Sequence, residues 1–283
     1  MTLSFGFKTA PQMTTYESIL QVWEEADKVP ELEHAWLFDH FVPIGKNPVE
    51  GPCLEGWTTL AALAARTERL RMGLMVTGNT YRNPAILANI GATLDIISKG
   101  RLDFGIGAAW NEIEHTMYDV PFYTPAERIR RMGEACELIK LLWTQEVTDF
   151  EGKYYHLQQA RCEPKPVQKP YPPFVIGGGG EQLTLKFVAR HADIWNFVGG
   201  DAAMFTHKMA KLDEHCRNEG RDPATIKRSI QPVVTYNDVK ATIAAIQPYI
   251  DAGANHIVLN LLPPYPKEIA HWLANEVIAP LKG

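Results

Sequence analysis

The chain has 283 residues, of which 46% are apolar and 22% are charged, so it can bury a large core and is too apolar to be disordered. A formal net charge of −5 without runs of like charge excludes the basic surface that nucleic acid requires and favours a small-molecule partner. No stretch of about 18 apolar residues occurs, and the N-terminus lacks the apolar segment of a signal peptide. We therefore expect a cytoplasmic protein with no membrane partner.

Short β-rich apolar runs alternate along the chain with longer amphipathic runs, which is the pattern of repeated βα units around a parallel sheet. About eight such units are present, the number that closes a (β/α)8 TIM barrel. We predict an α/β fold with one barrel domain over residues 1–283. Its strands are expected at residues 3–8, 34–38, 70–76, 102–107, 174–176, 194–197, 229–235 and 256–261.

The best-marked helix is predicted over residues 125–143, where apolar residues recur every three or four positions. Thr124 can cap it, Pro125 suits its first position and Glu127 completes a capping box. Residues 144–173 are too many for a bare loop before the next barrel strand. Their alternating VTDFEGKYYHL and proline-rich EPKPVQKPYPP predict an insertion made of a hairpin and an extended strap.

In TIM barrels the active site lies where the strands end, so the polar residues at those points are candidates. Asp39 and His40 directly follow the second predicted strand. A histidine exchanges protons near neutral pH, and a neighbouring carboxylate can orient it or a ligand. The alternative is a structural Asp-His pair without a chemical role.

Four consecutive glycines, Gly177, Gly178, Gly179 and Gly180, follow the fifth predicted strand, with a helical run expected from Glu181. Bare backbone N–H groups before a helix bind phosphate, although a tight turn would also use glycine. The cysteines form no C-x-x-C pair, and Glu112-x-Glu114-His115 lacks the H-E-x-x-H spacing of a metal ligand set. We expect no metal site.

These motifs together resemble the luciferase-like monooxygenase family. The resemblance is carried by DHF after strand two, TGNTYRNP after strand three, GRLDFGIGAAWNEIEH at strand four and PKPVQKPYPPFVIGGGGEQLTLKFVARHADIWN around strand five. It extends from about residue 3 to residue 196, and its pattern is most similar to the actinobacterial F420-dependent oxidoreductases.

The resemblance implies a cofactor across the barrel mouth, coenzyme F420 or alternatively FMN, and a homodimer. Asp39 and the segment of Met75, Val76 and Thr77 would contact the ring, and a non-proline cis peptide is expected between Met75 and Val76. Asn111 would contact the ribityl chain and Gly177 to Gly180 the phosphate. His40 stands at the position of the family's catalytic histidine.

The sequence differs from the family's F420-dependent glucose-6-phosphate dehydrogenases, which have a tryptophan where Ile44 stands and a glutamate where Ala108 stands. We therefore do not expect sugar-phosphate oxidation. The predicted function is hydride transfer between F420 and a small electron-poor C=N, C=C or C=O bond, with His40 as the proton donor. An FMN-dependent monooxygenase or reductase and a non-catalytic flavin-binding protein are the alternatives.

Overall fold

The computed structural model describes residues 2–283 and contains a parallel barrel surrounded by helices. Eight strand positions form the barrel, and the third is split in two. Its strands are β1 (Ser4–Thr9), β2 (His34–Leu37), β3 (Arg71–Leu74), β4 (Thr77–Gly78), β5 (Phe104–Gly107), β8 (Phe174–Gly177), β9 (Ile194–Asn196), β10 (Lys227–Ile230) and β11 (His256–Leu261), with β6 and β7 described below.

Adjacent barrel strands pair in parallel in the order β3-β2-β1-β11-β10-β9-β8-β5-β4. A bridge between Met72 and Leu102 joins β3 to the residues before β5, so the ring of strands closes. Gly6 permits the close approach of β1 to β2, because a Cβ there would lie 2.0 Å from the carbonyl oxygen of His34. The predicted barrel is confirmed.

The third and seventh strands differ from their predicted bounds. The third is interrupted between β3 and β4, where the peptide bond between Met75 and Val76 is cis, as predicted. The seventh is predicted at residues 229–235, but the observed strand is β10, which ends at Ile230. Pro232 follows shortly after and has no N–H to donate to a strand ladder, which explains the early end.

Most helices lie between successive strands, and the last ones follow β11. Their bounds are α1 (Tyr16–Ala26), α2 (Gly56–Arg66), α3 (Pro84–Ile97), α4 (Glu112–Met117), α5 (Pro125–Thr144), α6 (Thr184–His191), α7 (Ala202–Asn218), α8 (Val239–Asp251), α9 (Ile269–Trp272) and α10 (Ala279–Lys282), with a π-helical segment over Leu273–Ile278 and a 3-10 turn over Pro223–Thr225. The prediction for α5 is confirmed to within one residue, and the Thr124 hydroxyl accepts a hydrogen bond from the Glu127 N–H. No helix within residues 2–283 is long and apolar enough to cross a membrane.

The predicted insertion contains an antiparallel hairpin of β6 (Thr148–Glu151) and β7 (His156–Ala160), followed by an irregular strap up to β8. The carboxylate of Glu134 on α5 accepts hydrogen bonds from the N–H groups of Lys153, Tyr154 and Tyr155 at the hairpin turn. The Tyr155 hydroxyl in turn accepts a hydrogen bond from Asn79 after β4. The hairpin is therefore fixed to the same barrel rather than extending from it.

Candidate active site

Two adjoining cavities open where the barrel strands end. The inner cavity has a volume of about 580 Å³ and lies between the end of β2, the segment between β3 and β4, and the end of β8. The outer cavity, of about 820 Å³, lies beside the ends of β1 and β11. Lys8, Phe38 and Ile44 line both cavities, so the two adjoin at these residues.

His40 lines the inner cavity and is held by a carboxylate that lies far away in the sequence. Its Nδ1 is 2.7 Å from Oε2 of Glu114, which is completely buried on α4. The same carboxylate accepts hydrogen bonds from the Tyr81 hydroxyl at 2.6 Å and from the Phe41 N–H at 2.5 Å. The imidazole edge also packs against the rings of Phe38 and Trp110.

The electrostatics of Glu114 determine which nitrogen of His40 is available for chemistry. Burial alone would raise the pKa of Glu114, but hydrogen bonds from His40, Tyr81 and the Phe41 N–H outweigh it and lower the pKa to about 2. An ionised carboxylate can only accept, so Nδ1 of His40 donates to it. The remaining nitrogen, Nε2, can then accept or donate a proton in the cavity.

Asp39, the neighbour of His40, belongs to a separate ion-pair cluster. Its carboxylate is buried and accepts hydrogen bonds from Arg82 at 2.6 and 3.1 Å and from the Thr77 hydroxyl. Arg82 also binds Glu55, which caps the start of α2. Burial raises the pKa of Asp39, and the charge of Arg82 opposes that rise without cancelling it.

The other end of the inner cavity is made mostly of backbone. Gly177, Gly178 and Gly179 line it, whereas Gly180 does not. Gly178 has a φ of +125°, which few other residues adopt, and its N–H donates to the Asn196 carbonyl. Within residues 2–283, no hydrogen bond uses the N–H of Gly179 or Gly180. Two free donors therefore lie at this turn.

A guanidinium adds to the capacity of the inner cavity to bind an anion. Arg128, on the first turn of α5, lines the inner cavity and is only 7% exposed. Its Nε has no hydrogen-bond partner among the described residues, and its guanidinium stacks on the Phe122 ring. A buried donor without a partner is costly unless a ligand satisfies it. The glycine turn and Arg128 together suit a phosphate group.

Most of the residues predicted from the sequence lie at this cavity. Met75, Val76, Thr77, Asp39 and His40 line it beside Gly177 to Gly179. Asn111 is buried at the start of α4 without lining it, so its contact with a ribityl chain stays a prediction. Helix α6 begins at Thr184 rather than at Glu181, because residues 181–183 form a turn, and Thr184 itself reaches the cavity.

Among the residues of the site that sequence reasoning missed are Glu114, Arg128 and Lys8. Lys8 stands near the end of β1, so the rule that selects Asp39 and His40 also selects it. Glu114 carries no such signal. Its sequence neighbourhood indicates a helix surface, and only the fold brings it to His40, 74 residues earlier in the chain.

The model of the luciferase-like monooxygenase family matches residues 2–271 of this chain. Among curated proteins, F420-dependent glucose-6-phosphate dehydrogenase of Amycolatopsis mediterranei is 26% identical, in an alignment that covers 91% of this chain and 92% of that protein. The family resemblance read from the sequence is confirmed.

Two solved structures share the fold. An F420-dependent secondary alcohol dehydrogenase in complex with an F420–acetone adduct superposes with a TM-score of 0.88 at 19% identity, over the whole of both chains. The coenzyme F420-dependent tetrahydromethanopterin reductase of Methanopyrus kandleri gives a TM-score of 0.80 at 19% identity, over 99% of this chain and 100% of that one. At this identity the likeness establishes the barrel architecture.

Proposed function

The chain belongs to the luciferase-like monooxygenase family, and on that premise we propose that it is an F420-dependent oxidoreductase that transfers hydride between the cofactor and an electron-poor C=N, C=C or C=O bond. The observation that carries the proposal is the coexistence, in one cavity of about 580 Å³, of a glycine turn with free backbone N–H groups and a histidine held by a carboxylate. The first suits a phosphorylated cofactor and the second suits proton transfer beside it.

The residues of the inner cavity suit such a cofactor. Gly178, Gly179 and Arg128 would hold its phosphate, and the segment from Met75 to Thr77 would lie against its ring. When bound, F420 supplies or takes up the hydride, which is the difficult part of the chemistry. A relative that matches nearly its full length and is named F420-dependent supports F420 over FMN.

His40 moves the proton that must accompany the hydride. Glu114 fixes its Nδ1, so that Nε2 donates a proton to the reduced atom of the substrate or removes one in the reverse direction. Glu114 acts through His40 and is a positioning residue. Asp39, paired with Arg82 and Thr77, keeps the floor of the cavity in place.

The substrate differs from glucose 6-phosphate. Ile44 and Ala108 both line the inner cavity, at the two positions where the sugar-phosphate dehydrogenases of this family carry tryptophan and glutamate. Their smaller apolar side chains offer neither an aromatic wall nor a second carboxylate. An organic substrate with an electron-poor double bond fits this wall better than a polyhydroxylated ring does.

The test is a fluorescence titration of the full chain with F420 and with FMN, followed by oxidation of the reduced cofactor in the presence of imines, enones and aldehydes. Binding of F420 with turnover supports the proposal. Preference for FMN would replace it with a flavin-dependent monooxygenase or reductase. Binding of either cofactor without turnover on any class would indicate a non-catalytic flavin-binding protein.

A further inference from the structure

The outer cavity lies beside the inner one and is large enough for a second small molecule. It is bounded by the ends of β1 and β11, the start of α1, the loop after β2 and the loop over residues 262–266. Its volume of about 820 Å³ is within the range of small-ligand sites. Lys8 stands where the two cavities meet.

Lys8 carries a positive charge that no side chain of the described protein neutralises. Its Nζ donates one hydrogen bond, of 2.5 Å, to Oε1 of Gln231, and it makes no ion pair. The described part of the outer cavity is lined by two lysines, Lys8 and Lys46, and by no aspartate or glutamate. This distribution is unexpected in a chain with a net charge of −5. A partly buried ammonium with two unused donors is suited to a negatively charged oxygen.

A second polar group without a partner lies next to Lys8. β1 and β11 pair in parallel with Lys8 opposite Asn260, so the two side chains point to the same side of the sheet. Both line the outer cavity. The Asn260 Oδ1 is buried and has no hydrogen-bond partner within residues 2–283. Buried polar atoms are nearly always satisfied, so a ligand is the natural partner for this amide.

We propose that the substrate is a carboxylic acid that extends from the inner cavity into the outer one, with the carboxylate bound by Lys8 and an adjacent hydroxyl group bound by Asn260. This inference rests on the proposed function, because it places the substrate beside the cofactor. Lys8 is then a binding residue that selects the substrate class, and His40 serves the reacting bond.

A carboxylate suits the site around Lys8 better than a phosphate ester does. Among residues 2–283, Lys8 alone places a partly buried ammonium at the junction of the cavities, and one positive charge balances one carboxylate. Burial lowers the pKa of Lys8 to about 8, so its side chain is still mostly charged at neutral pH. Lys46 is solvent-exposed and contributes little to a desolvated site.

The probes are hexanoate, hexanamide and inorganic phosphate, titrated by calorimetry at pH 7 into the full chain with F420 present. A hydrogen bond to a charged group is worth about 1.5–3 kcal/mol, so hexanoate should bind at least about tenfold more tightly than hexanamide. Phosphate should bind no more tightly than hexanamide. Stronger binding of phosphate than of hexanoate to the chain saturated with F420, in which the glycine turn is occupied, would overturn the assignment to carboxylic acids.

Lys8→Met should remove the preference for hexanoate over hexanamide, and Lys8→Gln is the second variant if the first does not fold. The matched control is Lys46→Met, which removes the exposed lysine of the same cavity and should leave the preference within about threefold of wild type. Retention of the full preference in both Lys8 variants, or its loss in Lys46→Met, would refute the proposal.

The same titrations separate this inference from the proposed function. If the chain binds no F420 but still prefers hexanoate through Lys8, the cofactor assignment fails and the carboxylate site stands. If it binds and turns over F420 but shows no preference for hexanoate, the substrate class alone is wrong.

Discussion

The two ends of the inner cavity differ in the kind of group that faces a ligand, backbone at one end and a side chain at the other. At the glycine end, the groups of the turn that face the cavity belong to the backbone, and their arrangement depends on the positive φ of Gly178. At the histidine end, the working group is a side chain whose position depends on contacts between distant parts of the chain, above all between His40 and Glu114.

This difference determines which substitutions each end can tolerate and how well each end can be predicted from the sequence. A backbone turn is encoded locally, so one glycine replaced by a larger residue changes it directly. A side-chain cluster is encoded by residues that meet only in the folded barrel, and its charges are coupled to stability through their pKa values. Substitutions at one end should therefore affect cofactor affinity, and those at the other should affect turnover and acid stability.

The largest expected effect is that of His40→Ala on turnover. Loss of a general acid or base typically costs about 10² to 10⁴ in rate, so kcat should fall by a factor in that range. The dissociation constant of F420 should change less than about threefold, because its phosphate lies at the glycine end. The control is His156→Ala, which removes an exposed histidine on the hairpin. A kcat within about threefold of wild type would mean that the proton comes from water or the substrate.

The second-largest expected effect is the pH dependence of the free energy of unfolding that Glu114 confers. Its pKa is about 2 in the folded protein, below the ordinary value of 4.5, so its stabilising contribution is present above pH 4.5 and lost as the pH falls towards 2. The difference in pKa corresponds to roughly 3 kcal/mol. Urea unfolding should show Glu114→Gln to be less stable than wild type at pH 6, with a gap that shrinks below pH 4.5.

The control for that experiment is Glu112→Gln, on the exposed side of the same helix. Its stability difference from wild type should stay within about 0.5 kcal/mol at every pH. A gap for Glu114→Gln that is constant with pH would show that the carboxylate is not held by its donors.

At the glycine end, Gly178→Asp is compared with Gly178→Asn. Both variants strain the same backbone position, where φ is +125°, and both crowd Thr184, because a Cβ at this position would lie 3.1 Å from the Thr184 Cγ2. They differ in charge. Repulsion between two negative charges about 4 Å apart near a protein surface reaches a few kcal/mol, so F420 should bind about 100-fold more weakly to the aspartate variant than to the asparagine variant. Equal affinities would remove the phosphate from this turn.

The smallest effect is expected for Tyr81→Phe, which removes one of the donors to Glu114. A hydrogen bond to a charged group contributes about 1.5 kcal/mol, so the free energy of unfolding should fall by roughly that amount at pH 7. For Tyr118→Phe, at an exposed tyrosine, it should fall by less than about 0.5 kcal/mol. Equal losses in the two variants would mean that the Tyr81 hydroxyl adds nothing to the histidine cluster.

The features that could be predicted from the sequence are those encoded locally, as the glycine end of the cavity is. The barrel, the helix over α5, the hairpin insertion and the glycine turn all have local signals, namely periodicity, caps and composition. The cis peptide between Met75 and Val76 came from the family resemblance. The early end of β10 and the late start of α6 are boundary errors, where a proline and a turn end regular structure.

The rest of the site could not be predicted from the sequence, because it depends on contacts between residues that are far apart in the sequence and meet only in the folded protein. Nothing in the pattern around Glu114 indicates a buried carboxylate, since helices of this kind usually expose their glutamates. Asp39 is expected at the cofactor ring, and its pairing with Arg82, 43 residues later, shows how fully it is already engaged. Orphaned atoms such as Arg128 Nε and Asn260 Oδ1 become apparent only once every neighbour is known.

The pairing of β1 with β11 has a consequence for the folding of the protein during its synthesis on the ribosome. Six consecutive residue pairs join the first strand to the last, from Ser4 opposite His256 to Thr9 opposite Leu261. Until β11 has been synthesised, one edge of β1 therefore remains unpaired, and an unpaired strand edge can pair with other chains. Lys8 and Asn260 meet only once β11 has joined the barrel, so nascent fragments that lack this strand cannot form the outer cavity.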